Sequence, residues 1–376
     1  MIIGIEAQRL FRRKKHGMDI VALEIIKQLQ AIDHEDQFIL FAKDDEDKNC
    51  FSPAPNFRAE ILPSKPYPVW EQSSLPKYAR KANISLLHCT ANTAPLFWKK
   101  PLVVTIHDVI YMGSPEFSGS AYQNFGNLYR RFIVPRVAKK AVRIITVSAY
   151  AKKLIAGRLN IPATKIDVVY NGVNPQFRQL DNMAKLDAFR KKQQLPEKYL
   201  LHFGNTAPRK NTKGILKAYL AYTSAVAEPL PLVISGCPAE LINNIVKEIN
   251  APALMQHIVI PGYLATEDLP CLYNLAAIFL FASLDEGFGM PLVEAMACGT
   301  PVITSNISCL PEIAGDAALL VDPYQPAEIA RAISSLLEDK ALYRSKQELG
   351  LINATRFSWK NAAEKTLSIY KAIPLK

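Results

Sequence analysis

The feature that narrows this chain's possible folds furthest is a long alternation between short apolar runs and helical patterns. In the first half the runs are MIIGIEA, QFILFA, SLLHCT, LVVTIHD and RIITVS; in the second they are YLLHFG, LPLVISG, HIVIPG, AIFLFAS and TPVITS. Segments of helical spacing separate them, for example Asp19 to Gln30 and Ser148 to Gly157. A parallel sheet with helical crossovers demands this pattern, because each strand is buried on both faces. The alternation resets in VVYNGVNPQFRQLDN, where a proline, asparagines and a glycine mark a loop before a polar, Lys-rich stretch. At 376 residues the chain exceeds what one ordinary core holds. The expected architecture is α/β, with two doubly wound parallel-sheet domains at residues 1–175 and 176–357. The tail, residues 358–376, reads as an amphipathic helix capped by Ser358, with Trp359, Ala362, Ala363, Leu367 and Tyr370 on one face.

Hydrophobic content of 49% with 21% charged residues excludes a disordered chain, and no apolar run approaches a membrane span. The N-terminus starts with a strand-like run instead of a signal peptide, so a cytoplasmic home is expected. Six cysteines are scattered without CxxC or a His/Cys cluster, which favours reduced, buried thiols over a disulfide or zinc framework. The charge is lopsided. Of the net +11, residues 1–175 contribute +10 (25 Lys and Arg against 15 acids) and residues 176–376 contribute +1 (20 against 19). This points to an anionic partner for the first half: an anionic membrane surface or a phosphorylated acceptor. Nucleic acid ranks last, since no binding module is present, and a solvated basic surface without a partner is the plain alternative.

Ligands of parallel sheets collect at the carboxyl ends of strands, so the loops that follow strands carry the candidate sites. The stretch LDEGFGMPLVEAMACGTPVITS, Leu284 to Ser305, is such a junction. Gly287 and Gly289 let the backbone approach a ligand, and Pro291 suits the first helical position. The amides near Met290, Pro291 and Leu292 lie at the positive end of the helix dipole, a natural anion site. Glu294 in the first turns suits ribose hydroxyls, and Glu286 in the loop suits a reacting centre. For either glutamate alone, an acid offsetting a dipole is the simpler account; the run as a whole points to function.

A second anion site follows YLLHFG: in GNTAPRKNTKG, Arg209 and Lys210 stand between a strand and a helix, an arrangement that holds diphosphates. His107 and Asp108 end another strand, where a structural histidine and a catalytic one are both open readings. The loop RLFRRKKHGMD offers Gly17 to a diphosphate and Arg12, Arg13, Lys14 and Lys15 to an anionic acceptor, against the alternative of a solvated loop. KDDEDKN, residues 43–49, has the acids of a metal site, but its flanking lysines make it a solvated turn; no metal is assigned.

Taken together, these motifs resemble the group 1 (family 4) retaining glycosyltransferases of the GT-B fold. The resemblance runs from MIIGIEA and Gly17 through TIHD, TVSAYAKK, VVYNGVNPQF and APRKN. It continues through PGYLATEDLPCLYNLAAIFLFASLDEGFGMPLVEAMACGTPVITS and LPEIAGDAALLVDP, and so spans nearly the whole chain. It implies two Rossmann-like domains facing a cleft, with the last helix crossing back to the first domain. It implies that Glu286 contacts the donor sugar, Glu294 the ribose, Arg209 and Lys210 the diphosphate, and His107 the transferred sugar beside the anomeric carbon. Gly17 would lie under the diphosphate, and Tyr263 near the base. Gly204, Gly287, Phe288, Gly289, Met290, Pro291 and Leu292 would complete the donor site. Asn205 departs from the arginine some members carry there.

The resemblance further implies a retaining, metal-independent hexosyltransferase without a cofactor, acting in glycan biosynthesis. Its donor would be a nucleotide-diphosphate sugar (GDP-mannose first, a UDP-hexose next), and its acceptor a saccharide or lipid-linked glycan, with possible attachment at the inner face of a membrane. Two other readings stay open: a sugar-nucleotide 2-epimerase-like isomerase, and a non-catalytic nucleotide-sugar-binding scaffold.

Overall fold

The computed structural model describes residues 1–113, 121–262 and 264–374. The chain divides into two units, Met1–Gly172 with Ser358–Lys376, and Val173–Phe357. The division falls just before the loop position expected near residue 175.

The first unit is built on a seven-stranded parallel sheet. Its strands are β1 (Ile2–Glu6), β2 (Gln37–Lys43), β3 (Phe57–Leu62), β4 (Leu86–Cys89), β5 (Leu102–Thr105), β6 (Arg143–Thr146) and β7 (Ile166–Val168), in the order β3-β2-β1-β4-β5-β6-β7. The second unit holds β8 (Tyr199–Phe203), β9 (Leu232–Ser235), β10 (Ile258–Val259), β11 (Ala276–Phe281), β12 (Val302–Ser305) and β13 (Ala318–Val321), in the order β10-β9-β8-β11-β12-β13. Strand order reverses beside β1 in one sheet and beside β8 in the other. Such a switch point leaves the carboxyl ends of two neighbouring strands, β1 and β4 or β8 and β11, with loops that part to opposite faces and open a crevice.

Burial follows the sheet order. The interior strands β4, β5, β9 and β12 are buried at every residue. The edge strands β3, β7 and β13 mix buried with partly or fully exposed positions. The main core of the first unit packs Trp70, Leu87, Val104, Val134 and Ile155 together, and that of the second packs Leu200, Leu216, Ile234, Ile278 and Ile333.

The helix Trp359–Lys371 belongs to the first unit and packs against the helix Gly17–Ile32. Ser358 caps it through the Asn361 amide. Its buried face is Trp359, Ala362, Ala363, Thr366, Ile369 and Tyr370; Leu367, expected on that face, is only partly buried because the face runs from Thr366 to Ile369 and Tyr370. Two contacts lock the helix down. Tyr370 meets Nδ1 of His88 on β4, whose Nε2 lies 2.8 Å from Thr105 Oγ1. Gly172 lies so close to Trp359 that a Cβ there would sit 2.2 Å from the Trp359 backbone nitrogen. Burial pushes the His88 pKa down to about 3, so the imidazole stays neutral.

Candidate functional site

In the second unit, the switch-point loops bring three charged side chains together. The chain leaves β8 at Phe203 and passes Gly204, where a Cβ would stand 2.3 Å from Cys237 Sγ. This glycine is required by packing. Its amide donates to the Ser235 carbonyl (2.8 Å). Asn205 accepts from the Ala207 amide (2.8 Å), a local turn that starts the short 3-10 turn Pro208–Lys210. Asn211 then adopts φ +57° and heads the helix Thr212–Ala225. Its Nδ2 donates to Ala282 and Pro323 (2.9 Å each), and the Arg209 carbonyl accepts from the Leu284 amide (2.7 Å). The β8 loop is thereby sewn to the β11 loop.

Glu286 sits where the two loops meet and is 8% exposed. Lys210 Nζ donates to its Oε1 at 2.6 Å and Arg209 Nη1 to its Oε2 at 3.2 Å, with a further bond from Arg209 to the Asp285 carbonyl. Ser308, in the loop after β12 and at φ +63°, holds Glu286 from the other side: its Oγ accepts the Glu286 amide and donates to the Glu286 carbonyl, both at 2.9 Å. Two cations share one carboxylate, so the cluster carries a net positive charge held in fixed geometry, partly buried and ready for an anion.

The helix Met290–Ala297 begins beside this cluster. Gly289 precedes it at φ +91°, and a Cβ there would meet Leu310 at 2.9 Å. Several details differ from the sequence expectation. Pro291 is the second helical residue, not the first. The Leu292 amide donates to Gly289 (3.0 Å) and its side chain is fully buried. With Pro291 lacking an N–H, Met290 alone of the three named positions keeps its amide for a ligand. Phe288 is buried edge-on against Phe357, with centroids 5.4 Å apart. Glu294 accepts from the Tyr273 hydroxyl at 3.0 Å. Burial pushes its pKa up to about 7, partly offset by Tyr273, so it titrates near neutrality. Tyr263 lies outside the described residues.

The first unit has its own switch-point group. Glu6, buried at the end of β1, accepts from the Gln8 amide (3.0 Å) and from Thr90 after β4; burial raises its pKa. The Thr90 carbonyl lies 2.9 Å from Nε2 of His107. A carbonyl can only accept, so Nε2 carries the proton and Nδ1 is left as the basic nitrogen. Asn92 fixes the His107 amide at 2.7 Å. His107 is 7% exposed, and burial lowers its pKa, with Thr90 and the charges of Asp108 and Asp19 opposing this. Gly17 opens its helix with free space where a Cβ would point, nothing lying within 4 Å, so packing does not require glycine there. The basic loop is largely answered by acids: Arg12 lies 3.9 Å from Asp19, Arg13 3.8 Å from Glu46, and Lys15 pairs with Asp47. Two of the four acids of residues 43–49, Glu46 and Asp47, are thus partners of this loop, which leaves it a weaker anion site than its composition suggested.

Tyr273 and Ser308 have no counterpart among the sequence expectations. Ser308 follows β12, and the rule that directs attention to loops after strands applies to it; its left-handed backbone has no signature in the sequence.

Comparison with known proteins agrees with this architecture. Residues 16–177 match the model of "Glycosyltransferase Family 4" and residues 185–359 that of "Glycosyl transferases group 1". The chain is 31% identical over 274 residues to the O-antigen chain mannosyltransferase B of Escherichia coli, covering 72% of this chain and 70% of that one. It is 29% identical to the serotype-specific mannosyltransferase WbdA of Escherichia coli over 71% of this chain, which spans only 32% of that longer protein. Among solved structures it is similar to Anabaena Alr3699/HepE in complex with UDP-glucose (TM-score 0.76, 17% identity, 99% of this chain and 100% of that one). It is also similar to a sucrose-phosphate synthase from Thermosynechococcus elongatus (TM-score 0.75, 20% identity, 98% of each chain). At these identities the structural likeness speaks for the GT-B fold alone.

Proposed function

The chain belongs to the group 1 glycosyltransferases of GT-B type, and from that premise we propose that it is a retaining, metal-independent hexosyltransferase of glycan biosynthesis. It moves mannose, from GDP-mannose, to a saccharide or lipid-linked acceptor; a UDP-hexose is the second donor choice. The mannosyl assignment is supported by relatives named as O-antigen mannosyltransferases, the alternative base by a neighbour of similar fold solved with UDP-glucose.

The observation that carries the proposal is the Arg209–Lys210–Glu286 cluster at the β8/β11 switch point. Cleaving a sugar–phosphate bond builds negative charge on the departing nucleotide. Fixed cations aimed at that charge stabilise the transition state most, because they need not reorganise as it forms. In the ligand-free protein, Glu286 holds both cations in place. An arriving diphosphate competes for them and takes the counter-charge, which frees the Glu286 carboxylate for the hydroxyls of the donor sugar. The Met290 amide adds a dipole at the start of its helix. Glu294 accepts from ribose hydroxyls when ionised, so nucleotide affinity rises with pH through about 7. His107 is neutral, with a proton on Nε2 and a free base on Nδ1, as suits a group that touches a sugar hydroxyl without adding charge.

The test is donor turnover with a panel of saccharide and lipid-linked acceptors. Transfer from GDP-mannose with retained anomeric configuration, unaffected by EDTA, is expected. An epimerised donor formed without acceptor would support the isomerase reading instead.

A further inference from the structure

The charge excess of the first unit has an address. Residues 121–166 contain ten Lys and Arg and no Asp or Glu. Among the described residues none of the ten forms an ion pair, in contrast to Arg13 and Lys15 of the N-terminal loop. Several instead donate to backbone carbonyls, as Arg131 does to Gly113 and Arg143 to Thr164, which orients the charge without cancelling it.

The helix Ala121–Lys140 presents this charge beside exposed apolar side chains. Its inner face, Ile133, Val134, Val137 and Ala138, is buried in the core. Its outer face carries Phe125, Leu128 and Phe132, exposed by 55%, 66% and 52%. Arg136 and Lys139 continue the same stripe, since spacings of three and four keep all five residues on one side of a helix. The Arg136 guanidinium lies 3.7 Å from the Phe132 ring centroid, so charge and apolar surface form one patch. Lys140 donates to the Leu96 carbonyl, which brings Phe97, 79% exposed, to the end of the same helix. Large apolar side chains exposed in a row are uncommon on a soluble surface, and an unpaired cationic border favours an anionic lipid surface over another apolar protein face.

We propose that this outer face of the Ala121–Lys140 helix docks the protein on an anionic bilayer, with Phe125, Leu128 and Phe132 entering the headgroup boundary and Arg136 and Lys139 on lipid phosphates. No helix among the described residues is long and apolar enough to cross a membrane, so the contact lies in the plane of the surface. A lipid-linked acceptor, as proposed above, gives the docking its purpose. Vesicle binding is measured without any transfer, so either reading can fail alone.

The experiment is co-sedimentation of the full chain with phosphatidylcholine vesicles and with phosphatidylcholine–phosphatidylglycerol vesicles, at low and high salt. The wild type should bind only the anionic vesicles and lose binding with salt. Arg136→Gln with Lys139→Gln should lower partition roughly twenty-fivefold, from about fivefold per cation near the surface. Phe125→Ser with Leu128→Ser and Phe132→Ser should lower it at least about tenfold, from the apolar area no longer inserted. Arg13→Gln, paired already, should change it less than about twofold. Transfer to a short soluble acceptor should stay unchanged in the stripe variants. The proposal is overturned if the wild type ignores lipid charge, or if the stripe variants bind like wild type. It is equally overturned if they convert a wild-type dimer to monomer, or if they raise KM for the soluble acceptor while still binding vesicles. The last two outcomes would make the stripe a self-association face or part of an acceptor groove.

Discussion

The two units handle positive charge in opposite ways. In the second unit Arg209 and Lys210 close on a single buried carboxylate, and Ser308 fixes that carboxylate's backbone. In the first, the ten cations of residues 121–166 answer to no acid among the described residues. Paired cations have fixed positions and less reach, because the shared carboxylate offsets part of their field. Unpaired ones keep their full field and spread it over a surface. The first arrangement suits stabilisation of charge at one atom; the second suits attraction to an extended charged surface.

The sharpest way to break that contrast is to remove one cation from each set. Arg209→Ala or Lys210→Ala should lower turnover roughly 10²–10³-fold in a steady-state assay, the scale for one charge-stabilising group. Arg136→Ala should leave turnover with a soluble acceptor within about twofold. Equal losses would erase the distinction. Ser308→Ala should fall between them, lowering turnover about tenfold while retaining nucleotide affinity, because it acts on Glu286 and not on the phosphate.

Stability measurements sharpen the same comparison. Gly172→Ala forces a Cβ against the Trp359 backbone and should cost about 2–4 kcal/mol in urea unfolding, with the first unit losing its tail helix. Glu294 belongs to the second unit. Its folded pKa of about 7 lies above the ordinary 4.5, so it stabilises the fold in its protonated form. That contribution is present below pH 4.5 and lost as pH rises to about 7, worth of order 1–3 kcal/mol, and Glu294→Gln should flatten the profile over that window. His88 has the reverse sign. Its folded pKa of about 3 lies below the ordinary 6.5, so stability falls as pH drops from 6.5 towards 3. The smallest of these stability effects is that of Tyr370→Phe, which removes the hydroxyl on His88 and should cost about 1 kcal/mol.

What can be read from the sequence divides along physical lines. Interior strands such as LVVT and AIFLF are buried on both faces and stand out as apolar runs. The edge strands FRAEIL, IDV and ALLV do not stand out, because each leaves part of its surface to solvent and mixes polarity or stays short. The Glu286 junction is legible because strand, glycine, helix and acid are contiguous. Within it, the side chains of Phe288 and Leu292 are buried, which the run of residues alone does not announce. Ser308 and Tyr273 approach Glu286 and Glu294 from about twenty residues away, across neighbouring elements, and no local pattern announces such contacts.

Calorimetric titration of nucleoside diphosphate into the wild type and the Arg209→Ala, Lys210→Ala double variant is the most direct test of the donor site. The expected result is affinity weakened at least about thirtyfold in the double variant, from two lost charge-assisted contacts. Undiminished binding would mean that the diphosphate sits elsewhere and that the Glu286 cluster is only structural.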